Sequence, residues 1–210
     1  AEPLYRRTLE IYEKVFGKDH PDLAGSLNSL ANLLFAKGDY ERAEPLYRRS
    51  LEIYEKVFGK EHPDVVGTLN NLANLLRAKG DYERAEPLYR RTLEMREKML
   101  GKWHPYVAIS LHSLAGLLQI KGDYESAESL CRQALEIYEK VLGKEHPDLV
   151  ATLNILSGLL SAKGDYEGAE SLIRRSLEIY EKIFGKDHPD LAGSLNNLAS
   201  LLQAKGDYEG

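Results

Sequence analysis

A single cysteine in 210 residues leaves no partner for a disulfide within the chain. A protein that folds without one suits a reducing compartment, so a cytoplasmic location is expected. Long apolar runs are missing as well: nothing approaches the roughly twenty residues that a membrane helix needs, and no signal-peptide pattern is visible. No membrane partner is expected. An excess of positive charge is also lacking. Lysine and arginine number 28 against 33 aspartates and glutamates, a net charge of −5. A nucleic-acid surface needs a basic stripe, so no nucleic-acid partner is expected. The vocabulary of catalysis is thin too. There is no glycine-rich phosphate loop, no metal-ligand spacing and no converging Ser/His/Asp set. The expectation is a protein that is not an enzyme and needs no cofactor and no metal.

What the sequence has is a repeat. Gly17, Gly59, Gly101, Gly143 and Gly185 recur every 42 residues, and the turn glycines Gly38, Gly80, Gly122, Gly164 and Gly206 keep the same step. Nothing lies outside this period. A fixed period between roughly 20 and 50 residues reads as a solenoid, in which each unit buries its apolar face only against its neighbours. One solenoid over 1–210 is expected: a partial second helix in 1–18, full units at 19–60, 61–102, 103–144 and 145–186, and a last helix with the start of the next in 187–210. Ala1 falls inside a repeat, so the chain reads as a stretch of a longer array.

Each unit divides into two helices. Helix A should start near Pro21, where a missing N–H costs nothing, with Asp22 against the positive end of its dipole. It should run to about Lys37 and end on a left-handed Gly38. Asp39 should then cap helix B, from Tyr40 to about Phe58, with Gly59 ending it in the same way. At 100° per residue, Leu27, Leu30, Ala31 and Leu34 share one arc of helix A. In helix B, Ala43, Leu46, Tyr47, Ser50, Leu51, Ile53, Tyr54, Val57 and Phe58 cover about 160°. That width lets helix B touch its own helix A and the next one. Pro45, inside helix B, predicts a bend or a loosened first turn. Glu52 and Lys56 stand one turn apart in the favourable order.

Leu27, Leu30, Ala31 and Leu34, followed by Gly38, Tyr40, Ala43 and Tyr47, have the spacing of the tetratricopeptide repeat signature. The usual period is 34, and the eight extra residues amount to one more turn on each helix. The strings LNNLA, AEPLYRR with LEIYEK, and GKEHPD resemble the 42-residue repeats of kinesin light chains. The resemblance covers the whole chain. It implies an all-α, right-handed superhelix of helix-turn-helix pairs whose concave face holds extended peptides. The heptad-rich segment of kinesin light chains is not in this sequence, so kinesin binding is not implied. Long arrays of near-identical 42-residue units also occur behind nucleotide-binding sensor domains.

A second stripe runs along helix A, through Gly25, Asn28, Asn32 and Phe35, away from the core arc. By the resemblance this is the peptide-holding face. Its second place reads Asn28, Asn70, His112, Asn154 and Asn196 down the array. Its third reads Asn32, Asn74, Gly116, Gly158 and Ser200. Its fourth reads Phe35, Arg77, Gln119, Ser161 and Gln203. An amide both donates and accepts, so such a row could bond successive peptide groups, and Arg77 could add a carboxylate contact. The plainer reading is one inherited choice copied down the array, although asparagine is a poor helix former. The candidate ligand-binding residues are therefore Asn28, Asn32, Asn70, Asn74, Arg77, Ile109, His112, Gln119, Asn154 and Asn196.

The third unit departs most. Trp103 replaces an acid, and Tyr106, Ile109, His112 and Ile120 would cluster near the groove, as contact-site aromatics often do; sequence drift is the alternative. His20, His62, His104, His146 and His188 each precede a proline in the turn between units and are separated by one repeat, on the order of 10 Å. That is too far to share a zinc, so they read as turn residues at helix starts. Cys131 replaces a tyrosine on the apolar face of helix B and reads as core. The pairs Arg6-Arg7, Arg48-Arg49 and Arg90-Arg91 read as solvated surface facing carboxylates such as Glu52.

Two functions are compatible with these features. One is an adaptor holding an extended peptide in the helix A groove. The other is a spacer or oligomerisation rod with an empty groove. Near-identity of the units favours the rod, and divergence of the third favours the adaptor. The opening helix B could also cover Leu195, Leu198 and Leu202 of another copy, with DYEG followed by AEPL matching the internal DYEG-AESL. Head-to-tail self-association is then expected to propagate rather than close.

Overall fold

The computed structural model describes residues 1–186, 188–189 and 191–206. The expected start of a further helix B at 207–210 lies outside the described residues. Ten α-helices and no strand occur among the described residues. They are α1 (Glu2–Phe16), α2 (Pro21–Ala36), α3 (Tyr40–Phe58), α4 (Pro63–Ala78), α5 (Tyr82–Leu100), α6 (Pro105–Lys121), α7 (Tyr124–Leu142), α8 (Leu149–Ala162), α9 (Tyr166–Phe184) and α10 (Leu191–Lys205). The even-numbered helices are the A helices and the odd-numbered ones the B helices. The chain forms two compact units, 1–96 and 97–210.

The A-to-B turn is built from two interlocked caps. Gly38, at φ 77°, lets its own N–H reach Phe35 O at 2.9 Å while Asp39 N reaches Leu34 O at 2.9 Å. This is the Schellman pattern, which satisfies carbonyls left over at a helix end. Asp39 then accepts from Arg42 N at 3.3 Å and so starts the next helix. The same pattern recurs at Gly122 and Asp123.

The B-to-A turn differs from expectation. Gly59 has a positive φ of 84° but a ψ of 168°, so it is not a left-handed cap. The chain there must run out extended towards His62, at φ −81° and ψ 147°. His62 caps α4 itself: its Nδ1 accepts from Asp64 N at 3.3 Å. Its ring lies 4.2 Å from that of Phe58. His20 and His104 take the same capping role in their own turns, while His146 Nδ1 accepts from Asp148 N just before its helix begins. In the fourth unit the helix begins two residues later than the repeat predicts, at Leu149.

In the first unit, the core joins Leu23, Leu27, Ile53, Tyr54, Val65, Leu69 and Met95 from four helices. Leu30, Ala31 and Leu34 are buried as the spacing predicts. Helix α3 packs on both α2 and α4, and within the second unit α9 packs on both α8 and α10. The apolar arc of helix B is narrower than predicted: Leu46 and Leu51 are half-buried, and Val57 and Phe58 are exposed. They lie in the last turn of α3, where Phe58 packs on His62 of the following turn. Helix α3 passes unbroken through Pro45, and its first turn is closed by Ala43 N on Asp39 O at 3.1 Å. A proline removes only one backbone donor, and the two packed A helices hold the rest of the helix. In α10, Leu202 is buried, Leu198 half-buried and Leu195 exposed. The apolar face expected to be open there is therefore partly covered from within.

Candidate functional site

The stripe opposite the core of helix A divides into two kinds of place. The third place is occupied internally. Tyr47 is 1% exposed and donates its hydroxyl to Asn32 Oδ1 at 2.6 Å. Tyr89, fully buried, does the same to Asn74 Oδ1 at 2.6 Å. Burial pushes the Tyr47 hydroxyl up to about 12, so it remains a donor at neutral pH. In the fourth unit both partners change together: Gly158 stands in the asparagine's place and Ile173 in the tyrosine's. The third unit has Gly116 with Cys131. This joint loss is the signal in the sequence that could have revealed the pairing.

The second place lies deeper than a solvated row would. Asn28, Asn70 and Asn154 are half-buried, because successive A helices pack against each other within each unit. Asn28 Oδ1 accepts from Asn71 Nδ2 at 3.4 Å, and the same amide reaches Asn32 Oδ1 at 3.3 Å. Asn70 Oδ1 and Asn154 Oδ1 are buried without a hydrogen-bond partner. A buried acceptor in that state costs about 1–3 kcal/mol.

Within the second unit, Asn154 and Gln119 line a cleft of about 360 Å³ with Ser157, Gly158, Ser161, Ile173, Asn197, Ser200 and Leu201. His112 turns aside from the row, with its Nδ1 3.1 Å from Thr152 Oγ1 on α8. Ile109 is half-buried, and its carbonyl accepts from Ser113 Oγ at 2.9 Å. Asn196 is exposed on α10, and Arg77 is half-buried in the last turn of α4.

Of the cluster expected in the third unit, Ile120 stands apart. Tyr106 is exposed and packs beside His104 at 5.2 Å. Ile120 lies 14 residues along the same helix, about 21 Å away. Trp103 takes over an ion-pair place. Lys56 meets Asp19, and Lys182 meets Glu145, from one helix B to the turn before its own helix A. Lys140, at the matching place, sits 3.5 Å over the Trp103 ring instead.

The far side of the repeat carries charge. Glu44 receives Arg48 of its own helix, and Lys79 and Arg84 of the next repeat. Burial works against its charge, but hydrogen bonds from Lys79, Arg48 and Arg84 outweigh that and hold the carboxyl at about 2. Glu2 is held at about 2 by Lys37, Arg6 and Arg42. The arginine pairs are likewise engaged: Arg49 meets Glu13 and Arg91 meets Glu55, both at 2.6 Å. These two bridge successive B helices, while Arg6, Arg48 and Arg90 stay about half exposed on the carboxylates one turn back, as expected of solvated surface. Lys56 is turned to Asp19, so the pairing expected with Glu52 is superseded. Cys131 is fully buried, and burial raises its thiol to about 12. The reactive thiolate is therefore suppressed at neutral pH.

Stacked helix-turn-helix pairs with a polar inter-helix groove define a repeat scaffold. The chain belongs to the tetratricopeptide repeat family, whose profile matches residues 1–56, 22–98, 106–182 and 152–210. A second tetratricopeptide profile matches 70–140. Among curated proteins no relative matches. Similar solved structures include BtubC (BKLC) from P. vanneervenii, at 23% identity and a TM-score of 0.83, over 99% of this chain and 84% of that one. The nearly identical TPR-like repeats of a putative kinesin light chain from Podosopora anserina are 28% identical. Their TM-score is 0.77, over 91% of this chain and 90% of that one. A point variant of the same repeats gives 0.78. The repeats are thus of the kinesin-light-chain-like type. Tetratricopeptide repeats are in general protein-interaction scaffolds rather than enzymes, and no helix among the described residues is long and apolar enough to cross a membrane.

Proposed function

We propose that this chain is a scaffold that holds an extended peptide segment of a protein partner in the groove along its A helices. The observation that carries the reading is the pair of stranded acceptors, Asn70 Oδ1 and Asn154 Oδ1. They occupy the same place in two separate units. An amide that folding leaves unsatisfied is a ready acceptor for a peptide N–H. Asn28, Asn32 and Asn74 already make internal bonds, which leaves Asn70 and Arg77 as ligand-facing residues within 1–96, and Gln119, Asn154 and Asn196 within 97–210.

The test is a pair of substitutions, Asn70→Ala and Asn154→Ala. Removing a buried acceptor that has no partner takes away a desolvation cost, so it should leave stability level or raise it. It should weaken capture of peptides from a random array, by about 0.5–1.5 kcal/mol per lost bond. Unchanged capture, or a collapsed melting curve, would overturn the reading.

The spacer or oligomerisation rod is favoured by a different observation, the ion pairs that tie repeat to repeat on the far side. Failure of any peptide to bind, with concentration-dependent sedimentation, would select the rod.

A further inference from the structure

In the first two full units, a tyrosine from helix B fills the space beside the third groove place and bonds the asparagine there. The fourth unit has lost both members of the pair, to Gly158 and Ile173. Shortening a ring to an isoleucine and an amide to a hydrogen removes volume from one spot, from both sides. The cleft of about 360 Å³ lies at that spot, lined by both replacement residues. Its floor is apolar: Ile173 and Leu201 are each 3% exposed. Its rim is polar, and no charged side chain among the described residues lines it. Asn154 stands in the wall with a carbonyl oxygen that has no donor. Rotation about the Cβ–Cγ bond of an asparagine is soft, so this oxygen can turn into the cleft.

We propose that the cleft receives a tyrosine side chain of the bound segment, standing in for the helix B tyrosine that the fourth unit lacks. The ring covers Ile173 and Leu201, and the hydroxyl donates to Asn154 Oδ1. Phenylalanine fills the space but leaves the acceptor unpaired, which is costly in a buried site. Aspartate, glutamate, lysine and phosphotyrosine bring a charge that nothing in the lining neutralises. The source of the phenol, a peptide, rests on the groove reading above.

The small probes p-cresol, toluene and p-toluate, titrated into the whole chain and followed by amide NMR shifts, test the pocket without a peptide. The expected result is saturable shifts with p-cresol at Gly158, Ser161 and Ser200, affinity for toluene lower by about two- to ten-fold (the worth of one hydrogen bond), and no response to p-toluate. The double variant Gly158→Asn with Ile173→Tyr rebuilds the pair used in the first two units. It should melt no lower than wild type and lose the p-cresol response. Should it not fold, Gly158→Asn alone serves, since a Cβ there already lies 3.2 Å from Gln119 Nε2. No p-cresol response, equal affinity for toluene, or a response that survives filling would overturn the proposal. A random peptide display library separates it from the groove reading. Enrichment of tyrosine-containing peptides by wild type, lost on filling, supports both. Enrichment without tyrosine overturns the tyrosine pocket and leaves the groove, and no enrichment of any peptide overturns the groove.

Discussion

At the scale of single residues, the asparagines of the stripe divide by what they bond. Asn74 is the acceptor for the hydroxyl of fully buried Tyr89. Asn74→Ala should therefore strand that hydroxyl and cost about 1–3 kcal/mol in urea unfolding. Adding Tyr89→Phe should recover part of the loss, because no donor is then left unpaired. The two single costs should sum to clearly more than the double, as coupled neighbours do; strict additivity would show that the bond contributes nothing. The sequence displayed the stripe, since its angular position comes from counting. It hid the pairing, because Tyr47 lies in the core arc of helix B and Asn32 outside that of helix A. Only the joint change to Gly158 and Ile173 betrays it. The second-place asparagines were legible as residues and not as depth: a helical wheel knows one helix, and Asn70 and Asn154 are half-covered by the packing of A helix against A helix.

At the scale of elements, helix limits were legible to within a residue or two because the stop and start signals are strong. Helix α3 spans Tyr40–Phe58 as the Gly-Asp and Phe-Gly signals predict. The two glycine turns looked alike in sequence and are not alike in space. Gly122 is left-handed, at φ 84° and ψ 4°, whereas Gly143 is at φ 92° and ψ 162°, a region open to glycine almost alone. The difference comes from the cap that each turn feeds. An Asp cap turns the chain directly into the next helix, while the step from the Gly143 turn towards His146, whose Nδ1 accepts from Asp148 N, starts extended at the glycine. The two turns should respond differently to asparagine, which tolerates the left-handed region. Gly122→Asn should cost well under about 1 kcal/mol, and Gly143→Asn about 1–3 kcal/mol. Thermal melts of the two variants check this, and equal costs would mean that the Gly143 turn relaxes to a left-handed form.

At the scale of the whole molecule, the period, the all-helical class and the two-helix unit all come from counting, and the charge ladders do not. Their partners stand 31 to 40 residues apart, as with Arg84 on Glu44 and Arg175 on Lys144 O. Only stacking of one repeat on the next brings them together. These ladders set the response to acid. Glu44 has an ordinary value of 4.5 and a folded value of about 2. A depressed carboxylate contributes its stability fully above the unfolded value, and that contribution fades as pH falls from 4.5 towards 2. Because the Arg48 and Arg84 side chains are 44% and 52% exposed, water screens these pairs. Each is worth no more than about 1 kcal/mol, and salt should shrink it further. The two compact units should not respond equally. Glu44 has two arginines and a lysine, whereas Glu128 has Arg132 and Lys163, with Gly168 in the place of the second arginine. Amide exchange measured down an acid series should therefore show residues 1–96 losing more of their protection than residues 97–210. Glu44→Gln should lessen the acid response of the first unit alone, with Glu2 supplying the remainder. Equal loss in both units, or an acid limb untouched by Glu44→Gln, would assign the pH dependence to other carboxylates.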